Sequence, residues 1–220
     1  MFKTRAPFTK NDFVQNISVS RETLKNLSRY SNLVKQWQEQ INLVGPSTLT
    51  DIWCRHMLDS AQLSNFIDEK SAKIVDLGSG AGFPGLVLSI MGFSDVVLIE
   101  SNKKKSRFLN EVICETNCTA VVYNGRIEDY KNEGGFDYII ARALAPLDRL
   151  IKLSLPLNRG ESRCLFLKGR NYEQELTQAE KKWSMDVQIH KSLSFTLTFS
   201  AEKEFHGVVL EIDKLRPKGN

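Results

Sequence analysis

The stretch Lys73–Gly85, KIVDLGSGAGFPG, restricts the fold of this chain more than any other. A short apolar run with the pattern of a strand ends at Leu77. Gly78, Gly80 and Gly82 follow at alternate positions, and a helical pattern opens at Gly85. Five of the thirteen residues are glycine or proline. In an open α/β sheet, ligands bind beyond the carboxyl ends of the strands. Glycine there permits positive φ and a close approach of ligand to backbone. The helix that follows offers free N–H groups and the positive end of its dipole.

The rest of the chain fits that architecture. Strand patterns at Lys73–Leu77, Val96–Glu100, Thr119–Tyr123, Tyr138–Ala141 and Cys164–Lys168 alternate with helical patterns. The helical segments are Gly85–Met91, Lys103–Glu115, Leu147–Leu155 and Asn171–Met185. Such alternation predicts a parallel sheet with helices on both faces. Two extended stretches, Val187–Phe199 and Gly207–Leu215, close the chain as an antiparallel pair. Seven strands ending in a hairpin are the arrangement of the class I methyltransferases, which have a Rossmann-like α/β fold. Before the first strand, Leu24, Leu27, Tyr30, Leu33, Val34, Trp37 and Ile41 recur at spacings of three and four, with Ser20 placed as an N-cap. A second helix is expected over Asp51–Leu63. Residues 1–70 therefore read as a helical cap on a core formed by residues 71–220.

A chain of 220 residues with 41% hydrophobic and 25% charged content suits one ordinary domain with a small appendage. No apolar run approaches the roughly 18–20 residues of a membrane span. The N-terminus lacks the apolar core of a signal peptide, so a cytoplasmic protein is the expectation, and with no unusual apolar surface stripe in the sequence a monomer is expected. Cys54, Cys114, Cys118 and Cys164 form no CxxC pair. They read as reduced thiols, and no metal site is expected. The net charge of +4 matters less than its distribution. Ser101–Arg107, SNKKKSR, carries Lys103, Lys104, Lys105 and Arg107 with no acid, a pattern for an anionic partner or for solvated surface.

Two cofactors compete for the glycine turn. Gly80–Gly85 matches the dinucleotide fingerprint G-x-G-x-x-G. The dinucleotide loop, however, normally has its first glycine at the strand end, a place that Gly78 already fills. With Asp76 the string becomes D-x-G-x-G-x-G, the pattern of an S-adenosylmethionine loop. A carboxylate at Asp76 repels a pyrophosphate and attracts the ammonium of a zwitterionic amino acid. Glu100 lies 22 positions after Gly78, at the end of the second strand, where an acid accepts hydrogen bonds from ribose hydroxyls in either cofactor class. The turn in Asn124–Tyr130, after the third strand, is placed to meet an adenine ring.

The acceptor is constrained by what is missing. No Asn/Asp-Pro-Pro-Tyr motif for exocyclic amines follows the fourth strand, which continues as ARALAPL. No Pro-Cys dipeptide offers a nucleophile for pyrimidine carbon, and Cys164 falls inside a strand pattern. An acceptor that is already nucleophilic, such as the ring nitrogen N7 of guanine, fits. It loses no proton on attack, so catalysis reduces to alignment.

The ordered motifs QINLVG, RHMLDS, DLGSGAGFPG, ESNKKKSRFL, FDYIIARALAPL and LFLKG run from about Leu33 to Lys168. In that combination the chain resembles the small-subunit ribosomal RNA methyltransferase G family, also called glucose-inhibited division protein B. The resemblance implies methyl transfer from S-adenosyl-L-methionine to N7 of a guanine in the decoding-centre loop of 16S rRNA, with the 30S subunit or an assembly intermediate as partner. It implies cofactor contacts at Gly78, Phe83, Ile127, Glu128 and Arg142, beside Asp76, Gly80, Gly82 and Glu100 from the loop reading. It implies basic positions near the RNA at Lys104, Arg126, Arg142 and Lys168, and the charge run adds Lys103 and Lys105 as RNA contacts. RHMLDS adds Arg55, His56, Asp59 and Ser60, with His56 open between an RNA contact and a structural histidine. Arg142 and Lys168 are expected to position the reactants; no proton-transfer residue is expected. Many members have Asp in place of Glu100, and Ile127 is an unusually bulky neighbour for the adenine. Beyond Gly169 the resemblance is loose.

Overall fold

Ser20 caps the longest helix of the N-terminal segment by accepting a hydrogen bond from the Thr23 amide. The computed structural model describes residues 8–131, 134–194 and 207–218. Helix α1 (Lys10–Asn16) precedes α2 (Arg21–Gln38), whose buried stripe includes Leu27, Tyr30, Leu33 and Val34. A short turn, α3 (Pro46–Leu49), lies where the sequence predicts only a break. The continuous helix expected over Asp51–Leu63 is instead three pieces: a π-helix at Trp53–Leu58, α4 (Asp59–Ala61) and a 3-10 turn at Gln62–Phe66. Wider and tighter turns leave the side-chain spacing of residues three and four apart nearly intact, so a periodic pattern cannot separate them.

The sheet follows: β1 (Lys73–Leu77), β2 (Asp95–Ile99), β3 (Val121–Tyr123), β4 (Phe136–Arg142), β5 (Asn158–Lys168), β6 (Trp183–Lys191) and β7 (Val208–Pro217). Helices α5 (Gly85–Ile90), α6 (Lys103–Thr116), α7 (Leu147–Ser154) and α8 (Tyr172–Ala179) connect them. The strand order is β3-β2-β1-β4-β5-β7-β6, parallel except for β7, which is antiparallel to both neighbours. This is the expected class I arrangement. The helix predicted over Asn171–Met185 stops at Ala179, because Trp183–Lys191 pairs along β7 as an edge strand. β5 starts at Asn158, well before Cys164, and its register against β4 shifts between the Phe136–Asn158 and Tyr138–Arg163 pairs. The part of the expected final hairpin at residues 195–199 lies outside the described residues.

The N-terminal helices pack on the sheet and share one hydrophobic cluster with it. Phe13, Leu27 and Tyr30 lie in the same cluster as Leu86, Phe108 and Ile140. Trp37 Nε1 donates to Glu111 on α6, and Asn26 Nδ2 donates to the Thr116 carbonyl at the end of the same helix. A second cluster, on the opposite sheet face, holds Val75, Ile139 and Phe166 under α7 and α8.

Register places the site. Leu77 is opposite Ile99 on one side and Ala141 on the other. The next residue along each strand, Gly78, Glu100 and Arg142, therefore emerges at the same carboxyl edge. Strand order reverses between β1 and β4, which makes this the switch point where open sheets leave a crevice.

Candidate functional site

The glycine turn leaves β1 with positive φ at Gly78, Gly80 and Gly82. At Gly82 (φ +92°) a Cβ would also strike Leu86 and the Tyr30 hydroxyl, so no larger residue fits that bend. At Gly78 it would fall 2.5 Å from a methyl of Leu144. Glu100 braces the turn from β2. One carboxylate oxygen accepts from the Gly80 amide at 2.8 Å, the other from the Asn102 amide at 2.7 Å.

Gly78, Gly80, Phe83, Glu100, Ile127 and Arg142 line a cavity of about 660 Å³ beyond the strand ends. That volume suits a cofactor-sized ligand. Arg126, Glu128 and Lys105 also border it, so the loop after β3 and the start of α6 converge on the same space. An anchored acid, a glycine turn open to close approach and an apolar wall at Ile127 and Phe83 form a lining that fits an amino-acid–nucleoside conjugate such as S-adenosylmethionine.

Arg142, at the end of β4, is held by a chain of hydrogen bonds whose directions are fixed. Its Nη2 donates to His56 Nδ1 at 2.6 Å. His56 Nε2 must then carry the proton and donates to Thr48 Oγ1 at 2.8 Å. Thr48 Oγ1 in turn donates to the Gly45 carbonyl at 2.8 Å. Burial, with Arg142 and Arg55 close by, pushes the His56 pKa down to about 2, so the ring is neutral at physiological pH. The imidazole stacks on Phe83 with centroids 4.8 Å apart, and Phe83 stacks on Tyr30 at 5.1 Å. Arg142 Nη1 is buried and has no hydrogen-bond partner among the described residues. Burial lowers the guanidinium pKa while Asp59 opposes that shift; the group stays charged.

A second cavity of about 650 Å³ opens on the other side of Arg142. Arg55, Asp59 and Lys168 line it, and the Arg142–Ala145 segment forms the wall between the two spaces. Ala143 within that wall has φ +53°, a conformation that L-residues other than Asn and Asp seldom adopt.

The model of the rRNA small subunit methyltransferase G family (GidB) matches residues 23–203. The chain belongs to this family. It is 51% identical over 176 residues to the family's protein from Paramagnetospirillum magneticum, covering 80% of this chain and 85% of the relative. It is 42% identical over 222 residues to that from Rhodospirillum centenum, covering 100% and 98%. Among solved structures, a SAM-dependent O-methyltransferase from Thermotoga maritima superposes with a TM-score of 0.56 at 13% identity, covering 87% of this chain and 73% of that one, a likeness of fold alone. The chain is thus an S-adenosylmethionine-dependent rRNA small subunit methyltransferase. Among the described residues no helix is long and apolar enough to cross a membrane.

Within this family frame, several expected site residues sit differently from the sequence reading. Asp76 does not face the cavity. It is 1% exposed and accepts from the Gly85 amide at 3.0 Å, beneath the turn. Burial raises its pKa to about 7 despite that hydrogen bond. Gly82 likewise shapes the turn without lining the cavity. His56 is 4% exposed with both ring nitrogens engaged, and it supports Arg142 from the edge of the first cavity. Lys168 is not a free cation. Its ammonium pairs with Glu175 at 2.6 Å and donates to the Ala145 carbonyl at 2.9 Å. Glu175 also accepts from the Leu147 amide, so the pair clamps the loop that follows Arg142. By contrast Lys103 and Lys104 are exposed on the first turn of α6, and Arg126 is exposed at the cavity rim.

Sequence reading misses Tyr30 and Thr48 as parts of the site. Both belong to the N-terminal segment, and no spacing rule links them to a turn so far along the chain. By pattern, Tyr30 is an ordinary core position of an amphipathic stripe. The four cysteines are free thiols, as expected, and burial in β5 pushes Cys164 up to about 12, far from a reactive thiolate.

Proposed function

We propose that this chain methylates N7 of a guanine in the decoding-centre loop of 16S rRNA, using the first cavity for S-adenosylmethionine. When bound, that cofactor supplies an electrophilic methyl group. Gly78 and Gly80 line the amino-acid end, Glu100 accepts from the ribose through the lone pairs its amide partners leave, and Ile127 with Glu128 flanks the adenine. Residues 1–70 act as a cap that braces the turn.

The observation that carries the choice of acceptor is the group standing where the two cavities meet. It is a buried guanidinium, fixed by a neutral histidine whose nitrogens are both engaged. Neither can take a proton from an incoming nucleophile. A ring nitrogen with an in-plane lone pair needs none, and alignment across the Arg142 wall is then sufficient catalysis. Lys103, Lys104, Lys105 and Arg126 supply the phosphate contacts that hold the RNA.

The test is methyl transfer from radiolabelled S-adenosylmethionine to 30S subunits, naked 16S rRNA and 50S subunits from cells lacking the enzyme. Label recovered as 7-methylguanosine from small-subunit RNA supports the reading, and the preferred acceptor shows whether assembly must come first. Label in any other nucleoside sinks it.

A further inference from the structure

We propose that the second cavity receives the target guanine out of its stack, with Asp59 accepting from the Watson–Crick edge and Arg142 Nη1 donating to O6. This rests on the N7 assignment above and adds what the assignment leaves open: how guanine is told from other bases.

The argument is one of order. Around a guanine ring, N7 is followed by O6, and O6 by the N1–H and N2–H₂ donors. Across the site, the cofactor cavity is followed by Arg142, which borders both spaces, and then by Asp59, which borders only the second. The two orders match: electrophile at N7, donor at O6, acceptor at N1 and N2.

Each protein group is built for its part. Arg142 Nη1 is buried and lacks an acceptor among the described residues, a state whose desolvation is relieved by a carbonyl oxygen from a ligand. Asp59 is 8% exposed and held rigidly through one oxygen, which accepts from Ser192 at 2.6 Å and from Gln62 at 3.3 Å. Neither of these donors engages its other oxygen, and the residue lines the cavity. A buried carboxylate is the acceptor that guanine alone among the RNA bases meets with two adjacent donors. Adenine presents a lone pair at N1 and an amine where O6 would be, so it faces both groups with the wrong sign. The carboxylate does one thing more. Methylation at N7 makes the purine cationic and its N1–H a stronger donor, so the Asp59 contact strengthens as the methyl moves. That increment favours the transition state over the bound ground state.

The test uses the full chain and reconstituted small subunits in which the mapped target guanosine is kept or replaced by inosine, which lacks only the N2 amine. Wild type should methylate inosine at least tenfold more slowly in kcat/KM, because one of the two donors to the buried acceptor is removed. Asp59→Asn should lower transfer to guanosine, bind S-adenosylmethionine as wild type does, and lose most of the discrimination between guanosine and inosine. A structural role for Asp59 would lower both substrates alike. Equal discrimination by wild type and variant overturns the proposal, as does a wild type indifferent to inosine, a result that stands even if the variant fails to fold. A wild type that makes no 7-methylguanosine overturns the N7 assignment itself, and this inference with it.

Discussion

The Tyr30 hydroxyl donates a 2.5 Å hydrogen bond to the carbonyl of Ala81, tying helix α2 to the middle of the glycine turn 51 positions further on. Burial raises the phenol's pKa well above its ordinary value, so it remains a donor at every working pH. The turn has three residues at positive φ and little side-chain bulk of its own. Tyr30 holds it at the Ala81 carbonyl and the Glu100 carboxylate at the Gly80 amide.

Tyr30→Phe should therefore destabilise the protein by about 1–2 kcal/mol, since it leaves a buried carbonyl unpaired without changing the packing on Phe83. Chemical denaturation measures that loss. The turn amides would also be less fixed before the cofactor arrives, and calorimetry should show S-adenosylmethionine affinity down by about fivefold, near 1 kcal/mol. Unchanged affinity beside the lost stability would confine Tyr30 to the core.

A pH signature should come from His56. Its pKa is about 2 in the folded chain, against 6.5 for an ordinary histidine. Between those values the unfolded chain binds a proton that the folded one refuses. Stability therefore falls as pH drops through 6.5. From pH 7 to pH 5 wild type should lose about 2 kcal/mol more than His56→Gln does. Urea titrations of both proteins at the two pH values give the difference directly; parallel losses would mean that the ring takes a proton in place.

Sequence reading is strongest where one local signal determines the backbone. The strand at Lys73–Leu77 has its expected ends, because a turn that needs three positive φ angles can only start after the last paired residue. Ser20 caps α2 because its hydroxyl meets an amide three residues on, a contact visible in spacing alone. What escapes detection depends on long-range contact. Asp76 lies in the motif of a cofactor loop, yet burial and the Gly85 amide turn it inward. Lys168 lies in the motif LFLKG with no acid beside it in sequence, yet Glu175, on the next helix, neutralises it. His56 is open between two roles by sequence, and only the position of Arg142, 86 residues away, decides for support.

The Lys168–Glu175 pair has its own test. Lys168→Met keeps most of the side-chain bulk but releases the Ala145 carbonyl and leaves Glu175 without its cation. The Arg142–Ala145 wall should shift, and turnover should fall about tenfold to a hundredfold, as expected for a sub-ångström to ångström misplacement of an aligning group. The salt dependence of RNA binding should stay as in wild type, since the lysine's charge is already matched. A smaller salt slope would show that Lys168 reaches phosphate after all.

Lys103 and Lys104 should behave in the opposite way. They occupy the first turn of α6, where the helix dipole is positive, and that turn holds no acid. Cations there destabilise the helix by about 0.3–1 kcal/mol each, and an anionic partner turns the same arrangement into a binding surface. The double variant Lys103→Gln, Lys104→Gln should melt at a higher temperature than wild type. It should also bind RNA more weakly, with the slope of log affinity against log salt reduced by about 0.7–0.9 for each phosphate that is no longer neutralised. Cofactor affinity should be unchanged, since neither side chain borders the first cavity. A variant that is more stable and binds RNA with the wild-type slope would make these lysines solvated surface, and would move the phosphate contacts to Lys105 and Arg126.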